Sequence, residues 1–169
     1  MRKTRLATAW LDGCSGCHMS LLDIDEALVP LAGKIDVVYG PLVDAQEFPK
    51  GVDVAVVEGA VSSQDDLEKI RLIRSRSKLV VALGDCAVTS NVPAMRNTIP
   101  VKKLLESIYP VVPTDGVPAL LKRAVPVHEV IRVDLQVPGC PPPAKAIAFV
   151  LGELLEGRIP DLAGKVKFG

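Results

Sequence analysis

Five short aliphatic runs, each ending in a loop, constrain the fold of this chain more than any other feature. The runs cover residues 6–11, 35–39, 52–57, 79–83 and 130–137. Near-continuous Val, Leu and Ala at these positions predict strands that are buried on both faces, as in a parallel sheet. Segments with helical spacing lie between the runs. The alternation therefore predicts an α/β fold in which helices cover both faces of a mainly parallel sheet.

Helical segments are expected between these strands and after the last one. They cover residues 19–29, 62 or 63 to about 77, 101–108, 118–123 and 144–156. Residues 158–169 are expected to lack regular structure. Five strands favour a flavodoxin-like three-layer sandwich with the strand order 2-1-3-4-5. A length of 169 residues fits a single core, so residues 1–169 are expected to form one domain.

Charge and hydropathy exclude several classes of partner. The 20 basic and 20 acidic residues cancel, so no unbalanced field favours nucleic acid or an anionic membrane surface. No apolar run approaches the roughly 20 residues that a membrane-spanning helix needs, and the amino-terminal segment does not have the pattern of a signal peptide. We therefore expect a cytoplasmic protein that binds neither nucleic acid nor membrane.

The four cysteines follow the predicted strands. Cys14 and Cys17 come after the first strand, Cys86 after the fourth and Cys140 after the fifth. Because the carboxyl ends of parallel strands meet at one edge of a sheet, these four thiols are expected to converge there. In a reducing compartment such thiols are more often metal ligands or catalytic groups than disulfides. The pattern predicts one site.

The spacing of the cysteines favours an iron–sulfur cluster over zinc. Zinc sites commonly use two short Cys-x-x-Cys pairs, whereas here one pair is joined by two widely separated single cysteines. A [4Fe–4S] cluster takes one thiolate per iron, so dispersed ligands suit it. A zinc site in a non-redox scaffold protein, a redox-active Cys-x-x-Cys pair and inert thiols stay open as alternatives.

Several stretches resemble the small subunit of [NiFe] hydrogenases. Residues 10–20 read WLDGCSGCHMS, 56–60 VVEGA, 84–88 GDCAV and 138–142 PGCPP. These stretches span most of the chain in the order found in that family. The segment from residue 12 to 20, with NVPAMRN at residues 91–97, is most similar to the soluble NAD-reducing subgroup.

This resemblance implies a cofactor and two partners. Cys14, Cys17, Cys86 and Cys140 would hold one proximal [4Fe–4S] cluster beside a nickel–iron centre in a separate hydrogenase large subunit. Membrane-bound and periplasmic relatives carry a leader and a carboxyl-terminal extension for more clusters. Neither is expected in this chain, so electrons are expected to pass to a diaphorase or another iron–sulfur subunit. FMN is not expected here, because the loop after the first strand carries cysteines in place of a phosphate-binding loop.

A peripheral subunit of respiratory NADH–quinone oxidoreductase shares the fold and a related set of cysteines. Its first two ligands are adjacent cysteines, while Cys14 and Cys17 are separated by two residues. The hydrogenase interpretation is therefore favoured, and a subunit of a complex I-like enzyme is the alternative.

Three further residues near the cysteines are candidates for a second layer around the site. Glu58 ends the third strand and is expected near the cluster, where it would relay protons or bond at an interface. His18 follows a cysteine and would donate to a cluster sulfide, face the large subunit or lie on the surface. Asp12 is an interface acid or a turn former.

Four polar or charged residues that follow the fourth strand are also candidates for a role near Cys86 or at a partner. Asp85, Thr89 and Asn91 are expected to structure the loop around Cys86. Arg96 is either an anchor for a carboxylate of a partner subunit or an ordinary surface arginine.

Overall fold

The computed structural model describes residues 2–169. Within them the strands are β1 (Thr4–Trp10), β2 (Ile35–Tyr39), β3 (Val52–Glu58), β4 (Val61–Ser63), β5 (Ser77–Leu83), β6 (Leu120–Val125) and β7 (Leu135–Val137). The α-helices are α1 (Gly16–Leu22), α2 (Leu28–Ala32), α3 (Gln64–Arg76), α4 (Asp85–Thr89), α5 (Val101–Ile108) and α6 (Ala144–Leu155). Short 3₁₀ turns cover Asp25–Ala27, Val92–Thr98 and Val127–Glu129.

Five of these strands form one parallel sheet in the order β2-β1-β3-β5-β7. Counted among the parallel strands alone, this is the predicted order 2-1-3-4-5. Successive residues of β3 pack into different clusters, because side chains alternate across a strand. Val57 packs with Ile70 of α3 on one face, and Val56 packs with Ile147 of α6 on the other. The α/β fold with a parallel five-stranded sheet is confirmed.

A second, two-stranded sheet was not predicted. β4 and β6 pair antiparallel, with Val61 opposite Val125. The predicted helix over residues 118–123 is therefore wrong, since most of this segment is strand. Its backbone groups bond to β4, about 60 residues earlier, and a local helical pattern does not reveal a partner at that distance.

The predicted helix over residues 19–29 is also wrong as a single element. α1 ends at Leu22, and Asp25 adopts a positive φ of 54° before the chain turns into α2. A non-glycine residue in that region cannot continue a right-handed helix. Two short helices therefore replace one long helix.

The last predicted strand is shorter than expected. Only Leu135–Val137 pairs with β5, although the aliphatic run begins at residue 130. Val130, Ile131 and Val133 instead pack against the core from a loop. Burial alone thus made these residues resemble a strand.

The helix expected to begin at Ser62 or Ser63 begins where the capping chemistry requires. Ser63 Oγ accepts a hydrogen bond from the Asp66 N–H at 3.1 Å, and the Asp66 carboxylate accepts one from the Ser63 N–H at 3.0 Å. This capping box satisfies N–H groups that a helix start leaves unpaired. No helix in the described part of the chain is both long enough and apolar enough to cross a membrane.

Candidate metal centre

All four cysteines line one cavity at the carboxyl edge of the parallel sheet. The cavity has a volume of about 90 Å³. It is lined by Gly13, Cys14, Gly16, Cys17, Glu58, Gly59, Asp85, Cys86, Gly139, Cys140 and Pro141. The thiols are free, with Cys17 and Cys86 half-buried and Cys14 and Cys140 exposed. The predicted convergence of the cysteines is therefore what the structure shows.

The start of α1 places the first two cysteines. Ser15 takes a left-handed conformation with φ 65°, and the helix begins at Gly16. Cys14 therefore lies before the turn and Cys17 in the first helical turn, so both side chains reach the same cavity. A hydrogen bond from Ser20 Oγ to the Pro142 carbonyl, 2.6 Å long and buried, fixes α1 to the loop that carries Cys140.

The loops that carry Cys86 and Cys140 are bonded to each other. The Gly84 N–H donates to the Val137 carbonyl at 2.8 Å, and the Asp85 N–H donates to the Gly139 carbonyl at 2.9 Å. In return the Gly139 N–H donates to Asp85 Oδ1 at 2.6 Å. Asp85 is buried. Asp85, which precedes Cys86, is therefore bonded to Gly139, which precedes Cys140. These bonds are part of the expected loop structure.

Glycine is required at position 84. Its φ is +84°, and a Cβ built there would lie 2.2 Å from Cys17 Sγ. Both the backbone conformation and the close approach exclude a side chain. The end of β5 therefore supports Cys17 as well as Cys86.

The electrostatics of the cavity disfavour free thiolates. Burial raises the pKa of the Cys17 thiol well above its usual range, and Glu58 and the other three cysteines raise it further. Burial also raises the pKa of Cys86, with Cys140 and Cys14 adding to the effect. Like-charged neighbours penalise each deprotonated sulfur, whereas a bound metal cation reverses that preference.

Glu58 lies where the sequence places it. Its side chain is 2% exposed, and its Oε2 accepts a 2.7 Å hydrogen bond from the His18 backbone N–H. The carboxylate lines the cavity, and through His18 it fixes the helical turn that contains Cys17. Its expected proximity to the site is confirmed.

His18 is not on the surface. It is 5% exposed, and its ring packs edge-on against Trp10 with centroids 5.5 Å apart. His18 Nδ1 lies 2.9 Å from Glu58 Oε2 without the alignment of a hydrogen bond, and Nε2 is buried without a partner. The ring lines a separate, apolar cavity of about 340 Å³ between the sheet and the α1–α2 segment. The His18 ring therefore lies directly beside the Glu58 carboxylate.

Asp12 and Arg96 serve the fold through their own bonds. The Asp12 backbone exchanges hydrogen bonds with Ala60, at 3.0 and 2.7 Å, which ties the loop after β1 to the end of β3. Arg96 donates to the carbonyls of Ser62 and Leu121 at 2.9 and 3.1 Å. The Arg96 guanidinium thus joins β4 to β6, and a contact with a partner carboxylate stays a prediction.

One donor to a cysteine sulfur was not foreseen. Asn91 Nδ2 lies 3.6 Å from Cys140 Sγ, within hydrogen-bond distance for sulfur. Thr89 donates to the Asp85 carbonyl at 2.9 Å, as part of the loop structure expected there. The available sequence signal was Ser90-Asn91 directly after the cysteine helix, since Asn is enriched in left-handed conformations.

The part of this chain that matches a known family contains all four cysteines of the site. Residues 14–154, which include all four cysteines, match the family described as NADH ubiquinone oxidoreductase, 20 kDa subunit. The chain belongs to this family.

Several relatives of this chain are hydrogenase subunits. The NAD-reducing hydrogenase HoxS subunit delta of Cupriavidus necator is 36% identical, over 97% of this chain and 84% of that protein. A subunit of the F420-non-reducing hydrogenase vhu of Methanocaldococcus jannaschii is 37% identical over 92% of this chain. This chain spans only 57% of that relative's length.

A solved structure agrees with these matches. A chain in the crystal structure of an NAD⁺-reducing [NiFe]-hydrogenase in the H₂-reduced state superimposes with a TM-score of 0.96 at 38% identity. The match covers 99% of this chain and 100% of that one. The resemblance to the small subunits of [NiFe] hydrogenases, and to the NAD-reducing subgroup, is confirmed.

Proposed function

We propose that this chain is the electron-transfer small subunit of a cytoplasmic, NAD(P)-linked [NiFe] hydrogenase. In this proposal residues 1–169 form a single domain that holds one [4Fe–4S] cluster through Cys14, Cys17, Cys86 and Cys140. The chain would carry electrons between the nickel–iron centre of a large subunit and a diaphorase module. The observation that carries the proposal is the convergence of four cysteines from three separate parts of the chain on one cavity.

The residues around the cavity fit such a group. Thiolates that bind four different irons lie farther apart than the ligands of a single ion, which all approach one point. The four thiols around the cavity of about 90 Å³ supply one thiolate for each iron of a [4Fe–4S] cluster.

When bound, the cluster accepts and releases single electrons. The chain's own residues hold and insulate it. Cys17 and Cys86 are half-buried, and Cys17 packs against the aliphatic cluster that contains Leu83 and Val137, which limits access of water to that side of the site. Burial and hydrogen bonding to the sulfurs are the means by which a protein sets the potential of such a cluster.

An exposed apolar surface next to the cysteines supports a partner subunit. Val92, Met95 and Ile99 lie on the turn that follows Cys86 and are 61%, 73% and 45% exposed. Met19, two residues after Cys17, is 58% exposed. Exposed apolar side chains beside a functional site are typical of a region that is covered in a complex.

Anaerobic purification of the complex tests the proposal. We expect about four irons per copy of this chain in addition to those of its partner subunits, a brown colour and an EPR signal on reduction. Cys86→Ser should reduce the iron content and abolish hydrogen-dependent reduction of NAD. Ser75→Ala, which removes an exposed hydroxyl near the opposite edge of the sheet, should change neither.

Three results would contradict the proposal. A colourless protein with one zinc per chain would favour the scaffold alternative. A Cys86→Ser complex that kept its iron and its activity would remove Cys86 from the ligand set. Copurification with quinone-reducing subunits and without nickel would instead favour the complex I-like alternative.

A further inference from the structure

The turn that follows Cys86 has an unusual backbone. Ser90 has φ 67° and Asn91 has φ 30° with ψ −121°, so two successive non-glycine residues lie in the left-handed half of conformational space. Such a residue is strained and persists only where the surrounding structure holds it. Glycine would meet this backbone demand at lower cost than asparagine. The amide group is what asparagine adds.

The turn directs a side-chain N–H donor at one of the cysteines. Asn91 Nδ2 approaches Cys140 Sγ at 3.6 Å, across 49 residues of sequence. The amide thus joins the segment that follows Cys86 to the loop that carries Cys140.

We propose that Asn91 is a positioning residue that raises the reduction potential of the cluster by hydrogen bonding to Cys140. The inference rests on the proposed function, since it requires a cluster in this cavity. Reduction adds negative charge to the cluster and its cysteine sulfurs. An N–H donor stabilises that charge, so the reduced form gains more from the Asn91 amide than the oxidised form does.

The partner surface strengthens this effect. Asn91 is half-buried and Cys140 is exposed in the isolated chain, where water competes for the sulfur. Val92 and Met95 on the same turn form part of the apolar surface described above. Covering that surface would remove the competing water and strengthen the remaining hydrogen bond.

The test is an EPR-monitored redox titration of the purified complex with two variants of Asn91. Asn91→Gly removes the amide and suits the positive φ, while Asn91→Asp keeps the shape but replaces the donor with an acceptor. Both should lower the midpoint potential, Asn91→Asp by more. For Asn91→Asp we expect about a tenfold change in the reduction equilibrium, or about 59 mV for one electron. Thr98→Val, which removes an exposed hydroxyl bonded to Met95 on the same 3₁₀ segment, should leave the potential unchanged.

Iron content and resonance Raman spectra separate the possible outcomes. The proposal expects full iron in Asn91→Gly together with a shift of the Fe–S(Cys) stretching bands. Full iron with an unchanged potential would overturn it. Loss of iron from Asn91→Gly would also overturn it, because the residue would then hold the loop rather than tune the cluster. A wild-type complex without iron would instead refute the proposed function itself.

Discussion

Gly84→Ala is the substitution that most directly tests the packing of the site. Gly84 directly follows β5 with φ +84° and ψ 160°, a region that side chains rarely adopt. That backbone conformation costs a non-glycine residue about 1–3 kcal/mol. The added Cβ would also lie 2.2 Å from Cys17 Sγ, against about 3.5–4.0 Å for an ordinary contact. The sulfur must therefore move by more than about 1 Å.

Both consequences affect stability and metal binding. Overpacking of this kind costs about 1–3 kcal/mol, so the combined loss in the free energy of unfolding is about 2–6 kcal/mol. The Cys17 side chain is short and half-buried, so its sulfur has little room to move. We expect the clash to be relieved by a turn of the sulfur away from the cavity. We expect Gly84→Ala to be strongly destabilised in urea and to hold markedly less than four irons per chain.

Two other glycines serve as matched controls. Gly157 has φ +74° with nothing within 4 Å of an added Cβ, so Gly157→Ala isolates backbone strain at about 1 kcal/mol. Gly152 lies within α6 with open space around it, so Gly152→Ala should raise the stability by about 0.5–1 kcal/mol. Both should keep their iron. A Gly84→Ala chain as stable as Gly157→Ala, with full iron, would refute the close approach to Cys17.

Three further substitutions test the bonds around the sheet. Asp85→Ala leaves the buried Gly139 N–H without its acceptor, so we expect the free energy of unfolding in urea to fall by about 1–3 kcal/mol and the iron content to fall as well. Unchanged iron content would show that the Asp85 carboxylate is not needed for metal binding. Although burial opposes the shift, hydrogen bonds from Lys78, Arg5 and Arg2 lower the pKa of Asp53 to about 2 from 3.8. A lowered pKa in the folded state stabilises the fold above about pH 4, and this stabilisation is lost as the pH falls towards 2. Asp53→Asn should therefore unfold more easily at pH 7, by about 1 kcal/mol after screening, and lose less stability between pH 4 and 2; a parallel pH profile would contradict this. Ser63→Ala removes the side-chain cap of α3 and should cost about 1 kcal/mol of unfolding free energy by urea titration, with no change in iron; a neutral effect would show that Asp66 alone caps the helix.

Much of the fold could be predicted because its signals are local. Aliphatic runs at the five strand positions specify a buried parallel sheet, and the predicted strand order is the one observed. The helix cap at Ser63 follows from chemistry within four residues. The failures lie where a distant partner overrides the local pattern, as when β6 pairs with β4 instead of forming a helix.

The candidate site could likewise be predicted only in part. The sequence determines that four cysteines follow strand ends and must meet at one edge, because parallel strands share the direction of their carboxyl ends. It also places Glu58 at that edge. Nothing in the local sequence shows that the His18 ring is buried against Trp10, or that the Arg96 guanidinium bonds to the fold itself.

The tertiary structure alone decides the contacts that join the two single cysteines. Asp85 and Gly139 are 54 residues apart in sequence and bonded at 2.6 Å, and Asn91 reaches Cys140 across 49 residues. Hydrophobic periodicity specifies which face of a segment is buried, but it carries no information about which polar groups meet after the chain has folded. The sequence therefore determines the number of thiols and the edge of the sheet at which they meet. Their spacing, burial and hydrogen bonding are set only when the loops that follow β5 and β7 pack together.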